Sequence, residues 1–420
     1  MIRIRNVLAP IVIVQFAPVH HHGGLGIARS AGRLGVRVYW VHGQSWAPAT
    51  LSRYVHERIY WDEDASAEFS VDSLLKLGKR IGRESILIPI DDRGAIFVAD
   101  HAEELKERFL FPDQPPGLAR ALSSKKELHF LCNRLGIPTP AASFPASEDD
   151  VAAFAGSAVF PVVMKRIADW HPEQRTQMES VTIVNNAAEL LERYKKTGPS
   201  DEPNVMLQEY IPGGPESIWM FNGCFANDSE CLVGFTGKKI RQIPPLTGAT
   251  TLGMCLANEA VEGMTKDFMR KVGYRGIVDM GYRYDRRDGR YKLLDVNPRV
   301  GATFRLFVDS NGMDVVRALY LDITGQEIVR GVPPEGRKWI VEPNDLITSV
   351  QYARRGKLTI PRWTSSLQGV QEGAWFAWDD LVPFATMCWT SLAQAGRKVK
   401  NRTKTMRVRW KGVRKDVVQA

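Results

Sequence analysis

Long apolar runs dominate the first part of this chain, and the middle mixes helical and strand periods. Residues 7–16 (VLAPIVIVQF) are almost unbroken in apolar character, the pattern of a strand buried on both faces. Residues 20–26 (HHHGGLG) interrupt it. A helix over 27–34, a stop at Gly35 and a strand over 36–41 follow, which is a β-α-β opening. Residues 85–90 give another buried strand, leading through Asp91-Asp92-Arg93-Gly94 into a helix over 94–100. Acids at the carboxyl end of a parallel strand face the crevice where ligands bind, and they serve equally well as helix caps. Both roles stay open for Asp91 and Asp92. The pattern predicts an α/β fold that begins with a parallel domain over 1–117.

From residue 118 the pattern changes. Ser123-Ser124 precedes a helix over 125–135, with Glu127 placed three residues after Ser124 as in a capping box. Short strands are expected over 159–165, 181–184, 205–211, 217–221 and 231–236, with an amphipathic helix over 186–197 and another helix over 258–272. A hairpin then reads clearly: a strand over 276–284, a turn at Arg286-Arg287-Asp288-Gly289, and a strand over 291–296. A helix over 313–322 closes the region.

Composition narrows the function classes. The 420 residues are 44% hydrophobic and 25% charged, which suits a globular protein of two or three domains. The five cysteines are few, odd in number and lack a CxxC pair, so reduced thiols in a cytoplasmic protein are expected. The net charge is +9, yet residues 396–415 hold ten Lys or Arg and no acid, leaving −1 for the rest. The basicity belongs to the tail, which suits phosphates on lipid or nucleic acid, and the body does not read as a nucleic-acid binder. Residues 1–14 run into a glycine-rich turn rather than a cleavage site, so no secretory signal is expected. Residues 381–396 are too short and too polar to span a bilayer. Residues 381–392 (LVPFATMCWTSL), followed by the basic run, read either as an interfacial segment beside anionic lipid or as a helix docked on the body.

The hairpin carries the chemistry. Strand pairing can bring Asp279, Asp295 and Asn297 around one hard cation, since Mg²⁺ takes oxygen ligands and leaves room for phosphate. The plain alternative is a strand-to-turn exit, where Asn and Pro are common. The loop near the N-terminus does not fit a dinucleotide: Gly24-x-Gly26-x-x-Arg29 lacks a third glycine, and no acid ends the next strand. His20, His21 and His22 are adjacent, so they are expected to line a substrate loop or meet solvent rather than hold zinc.

Asp295-Val296-Asn297-Pro298-Arg299 resembles the (E/D)-x-N-P-R ending of the last metal-binding strand in the ATP-grasp superfamily, with Asp where Glu is usual. The resemblance covers about 118–325 and implies a two-lobed body over 118–331, divided near residue 200, with 332–420 as an extension outside it. It implies phosphate-binding roles for Lys125, preceded here by Ser124 rather than Asp, and for Lys165. It implies an adenine hinge at Gln208, Glu209, Tyr210 and Ile211 and a ribose acid at Glu216. A glycine-rich flap is usual near 169–179, and this sequence has no glycine there. On the residues alone, Lys125, Lys165 and Glu216 also read as solvated surface groups, and 237–251 also reads as an exposed edge strand. As a stiff charged arm, 237–251 would bring Lys238 and Arg241 to the γ-phosphate and a substrate carboxylate, with Arg299 and Arg305 gripping the carboxylate or acyl phosphate. The implied activity is an ATP- and Mg²⁺-dependent ligase, with Mn²⁺ as an alternative ion. It would activate a small-molecule carboxylate as an acyl phosphate and join it to an amine or thiol. A non-catalytic nucleotide module at a membrane and a kinase are the alternatives. An anionic membrane surface and a second copy of the chain stay open as partners.

Overall fold

A computed structural model describes residues 6–16, 22–43, 46–62, 64–167, 181–197, 203–245 and 247–393. The first domain is built on β1 (Ile11–Val14), α1 (His22–Gly32), β2 (Val38–His42), β3 (Glu57–Tyr60), α2 (Ala67–Ile81), β4 (Ser85–Pro89), α3 (Asp92–Asp100), α4 (Ala102–Leu105) and β5 (Phe109–Leu110). Its five strands lie parallel in the order β3-β2-β1-β4-β5. Helices cover both faces of β1, so all four of its residues are buried and the run has no polar alternation. Helix α1 starts at His22, five residues before the expected 27, and takes in the glycines. A Cβ on Gly24 would lie 2.3 Å from the Trp40 ring, and one on Gly26 2.8 Å from Phe304. These glycines permit close packing rather than cradling a phosphate. His20 and His21 lie outside the described residues. His22 sits beside the rings of Trp339 and Trp375, and burial pushes its pKa down to about 4. The two acids after β4 divide the roles left open. Asp91 caps α3, accepting the Gly94 N–H at 2.8 Å and the Phe16 N–H at 2.8 Å, while Asp92 faces the large cleft between the two later sheets.

The next unit runs through α5 (Leu118–Ser123), α6 (Lys125–Leu135), β6 (Ala142–Ser143), α7 (Glu148–Ser157), β7 (Val162–Arg166), β8 (Val181–Val184), α8 (Ala187–Lys195) and β9 (Val205–Glu209). Ser124 caps α6 by accepting the Glu127 N–H, and Gly136 ends it in the left-handed region at φ 69°. The sheet is antiparallel in the order β6-β9-β7-β8. One face packs on α7 and α8 through Val151, Val162, Met164, Val184 and Leu190. The expected departure from a glycine-rich flap over 169–179 falls outside the described residues.

The third unit comprises β10 (Ile218–Phe225), β11 (Cys231–Ile243), β12 (Ala249–Cys255), α9 (Glu259–Val272), β13 (Gly276–Asp285), β14 (Arg290–Asn297) and α10 (Val315–Ile323). It continues through β15 (Lys338–Ile340), α11 (Glu342–Arg354), α12 (Ile360–Leu367), β16 (Val370–Gly373) and α13 (382–393). Seven strands form one sheet, β14-β13-β10-β11-β12-β15-β16. Residues 237–251 are therefore neither an arm nor an edge: they are the end of interior strand β11, a turn and the start of β12. Strands β15 and β16 extend the same sheet, so the expected break at 331/332 does not interrupt it. Trp339, Val341, Trp375 and Met387 share a core with Ile13, Trp40, Phe307 and Leu319. A buried ion pair straps the chain before α13 to α1, with Arg29 Nε 2.9 Å from Asp380 Oδ2. Helix α13 then packs on that core through Phe384, Met387 and Cys388.

Candidate active site

The Asp-Gly turn starts the β13–β14 ladder, and a shift between Gly281 and Tyr282 that leaves Leu294 extra then places Asp279 opposite Asn297 and Gly281 opposite Asp295. The three oxygen-bearing side chains meet. Asn297 Nδ2 donates to Asp295 Oδ2 at 3.3 Å and to the Asp279 carbonyl at 3.3 Å. Gly301 makes room for this cluster, since a Cβ there would lie 2.5 Å from Asp279 Cγ. Arg299 closes one side, with Nη2 donating to Asn297 Oδ1 at 3.0 Å and Nε to Asp92 Oδ1 at 2.8 Å. Burial pushes the Asp279 pKa above the usual carboxylate value, although Arg299, Lys239 and the Asn222 amide pull the other way. Burial also works against the Arg299 charge, but Asp92, Asp279, Asp295 and Asp91 outweigh it and hold its pKa high.

The cluster forms one wall of a cleft of about 900 Å³ between the four-stranded and seven-stranded sheets. Lys125, at the start of α6, and Lys165, at the end of β7, line the same cleft, as do Gln208, Glu209, Tyr210 and Ile211. The α6 N-terminus is fixed there by the Lys125 N–H bonding the Ile167 carbonyl at 3.2 Å. Within the hinge the roles divide. The Glu209 side chain is held by Lys292 at 2.9 Å and Arg287 at 2.7 Å, and its N–H bonds the Ala141 carbonyl. Strand β9 ends there, so Tyr210 and Ile211 are the hinge residues past its last ladder pair.

Four expected residues do not line the cleft. Lys238 points to the opposite face of the sheet, its Nζ 4.3 Å over the Trp219 ring. Arg241 lies on that face too, buried in a two-point pair with Asp345 (2.7 and 2.8 Å) and donating to Ser366 Oγ at 2.6 Å. Glu216 is exposed on a short turn, accepting the Gly214 N–H at 3.0 Å. Arg305 is likewise engaged elsewhere, between Asp314 and Glu372. Lys238 lies directly opposite Trp219 in the regular β10–β11 ladder, so strand alternation leaves Lys239 on the cleft face. Irregularities in the β11–β12 ladder on either side of Arg241 then turn Gln242 rather than Arg241 into the cleft. Lys239 Nζ donates to the Gly248 carbonyl at 3.1 Å; burial lowers its pKa, against the pull of Asp279 and Asp295. Asp92 lines the cleft, the crevice role left open for it, whereas Lys239 and Gln242 are cleft residues that the sequence reading did not single out; the paired lysines at 238–239 were the available signal.

The donor set fits magnesium only in company. Asp279 and Asp295 offer two carboxylates and Asn297 an amide oxygen, and Asn222 Oδ1 lies buried behind Asp279 with no hydrogen-bond partner. Among the described residues no three His, Cys, Asp or Glu side chains form a metal cage. Mg²⁺ commonly takes one or two carboxylates and fills its other positions with phosphate oxygens and water. The site therefore suits an ion that arrives with a polyphosphate.

No family model matches the chain. It is 25% identical to D-aspartate ligase of Enterococcus faecium (strain Aus0004) over 285 residues, 64% of this chain and 67% of that protein. In fold it is similar to N5-carboxyaminoimidazole synthetase from Staphylococcus aureus complexed with ADP, with a TM-score of 0.61, 12% identity and 84% and 89% of the two chains covered. It is also similar to L-amino acid ligase from Bacillus licheniformis, with a TM-score of 0.57, 16% identity and 78% and 73% covered. By its sheet order, its cleft and these likenesses, the chain is similar to the ATP-grasp superfamily and shares its fold.

Proposed function

We propose that the chain is an ATP-dependent ligase that activates a small carboxylate as an acyl phosphate and joins it to an amine. The observation that carries this reading is the convergence of Lys125, Lys165, Asp279, Asp295, Asn297 and Arg299 on one cleft. Tyr210 and Ile211 would offer main-chain groups to adenine, and Lys125 and Lys165 would hold the phosphates. Asp279, Asp295 and Asn297 would hold Mg²⁺, or Mn²⁺ on the same oxygens, which when bound neutralises charge on the phosphate oxygens. Arg299 and Lys239 replace Lys238 and Arg241 as the cations that grip the substrate carboxylate and steady charge in transfer. A carboxylate oxygen attacks the γ-phosphorus in line, and the bond to the β-phosphate oxygen breaks as ADP leaves. The amine nitrogen then attacks the acyl carbon, phosphate leaves with the bonding pair, and the amine proton passes to solvent. The likeness to D-aspartate ligase and L-amino acid ligase makes amino acids the first substrates to try. ATP use and five free cysteines suit a cytoplasmic setting.

The test is product analysis with ATP, Mg²⁺ and pairs drawn from amino acids and small carboxylates. Equal yields of ADP and free phosphate, only when both co-substrates are present, are expected. Asp295→Ala should abolish both without shifting thermal unfolding. ADP formed without free phosphate would replace the ligase with a kinase.

A further inference from the structure

Helix α13 leaves an apolar face uncovered. Its inner side, Phe384, Met387 and Cys388, docks on the core. Its outer side carries Val382, Ala385, Trp389 and Leu392, at intervals of three, four and three residues, and all four are exposed. Trp389 is 72% exposed and Leu392 70%. Trp378, 83% exposed, extends the patch through an edge contact with Phe376, which itself packs on Phe384. The helix has no charged residue, and its threonines bond back to it: Thr386 Oγ1 to the Val382 carbonyl and Thr390 Oγ1 to the Met387 carbonyl. The acids just before it, Asp379 and Asp380, are paired with Arg33 and Arg29. That strap holds the helix in a fixed pose.

The sequence then places ten Lys or Arg and no acid in residues 396–415. We infer that the outer face of α13 docks on an anionic lipid bilayer, with the cations that follow it in the sequence drawn to the negative headgroups. This inference is independent of the ligase reading. The apolar stripe with its tryptophans suits the boundary between headgroups and acyl chains, and the cations suit negative headgroups. A nucleic acid would meet the cations but leave Trp389 and Leu392 in water. The basic segment itself would have to desolvate several charges to cover that stripe. A lipid surface satisfies both halves. Among the described residues no helix is long and apolar enough to cross a membrane, so the contact lies at the surface.

The full chain should sediment with vesicles of phosphatidylcholine and phosphatidylglycerol and not with phosphatidylcholine alone. Binding should fall about tenfold or more between about 0.1 M and 0.5 M salt. The double variant W389E/L392E should lose at least about tenfold in binding, since an apolar contact becomes a charged one facing anionic lipid. Both side chains point to solvent, so its thermal unfolding and ATP turnover should match the parent. Replacing Lys398, Arg402, Lys404, Arg407 and Arg409 by Gln should weaken binding comparably. Undiminished vesicle binding by W389E/L392E would overturn the inference, leaving a purely electrostatic tail. So would tight binding of a single-stranded RNA with no binding to vesicles, which would assign the segment to nucleic acid.

Discussion

Asp279 is subject to two opposed influences, and the balance between them is measurable. Burial raises its pKa, while Arg299, Lys239 and the Asn222 amide lower it, and the net shift is upward. Below that pKa the carboxyl holds a proton that a cation has to displace. Affinity for Mn²⁺ in the presence of an ATP analogue should therefore fall on acidification, starting above the ordinary carboxylate range of about 4. Titration calorimetry between pH 4.5 and 7.5 would record it. Lys239→Met removes one of the balancing cations, so the acid limb should move to higher pH and ligase turnover should drop by about tenfold or more. Lys238→Met, on the other face over Trp219, should leave the limb and the turnover in place. The sequence pointed to a lysine here but selected Lys238. Choosing between adjacent strand residues depends on register: Lys238 lies opposite Trp219 in the β10–β11 ladder, which leaves Lys239 on the cleft face.

At the level of elements, features that depend on neighbours in sequence were legible and those that depend on distant partners were not. The hairpin was readable because its Asp-Gly turn is local chemistry, and its ends fall within one or two residues of those expected. Helix α6 was readable from Ser124 and Gly136 for the same reason. Helix α1 was misplaced because its glycines look like a loop until Trp40 and Phe304 are seen against them. Arg241 is the sharpest case, since its partner Asp345 is 104 residues away on α11. Both side chains are nearly inaccessible, and Thr251 and Trp363 also donate to Asp345. Arg241→Met should therefore destabilise the fold by about 3–5 kcal/mol, because it leaves a buried carboxylate without its cation. The denaturant midpoint would register this, and adding Asp345→Leu should recover part of the loss.

Across the whole molecule, the body of the chain extends well past the point where the family-like motifs stop. The motifs end near residue 325, and neither turn chemistry nor composition signals that residues 338–373 complete the same sheet. Strands β15 and β16 lie beyond β12 in that sheet, and Trp339, Val341, Ala374 and Trp375 fill a core begun by β1 and α1. Buried arginines on the earlier side also find acids beyond residue 331: Arg29 with Asp380, Arg241 with Asp345, and Arg305 with Glu372 in addition to Asp314. A chain ended after Gly331 would lose that apolar cover, expose the edge of β12, strand Arg29 and Arg241, and take one of its two acids from Arg305. It should fail to give a soluble product with a cooperative thermal transition, whatever nucleotide is added, because no added ligand restores the missing strands. Differential scanning calorimetry of the shortened and full-length chains would decide it. A single sharp transition from the shortened chain would mean that 118–331 folds without its C-terminal strands, and that the boundary expected from the motifs is a structural one.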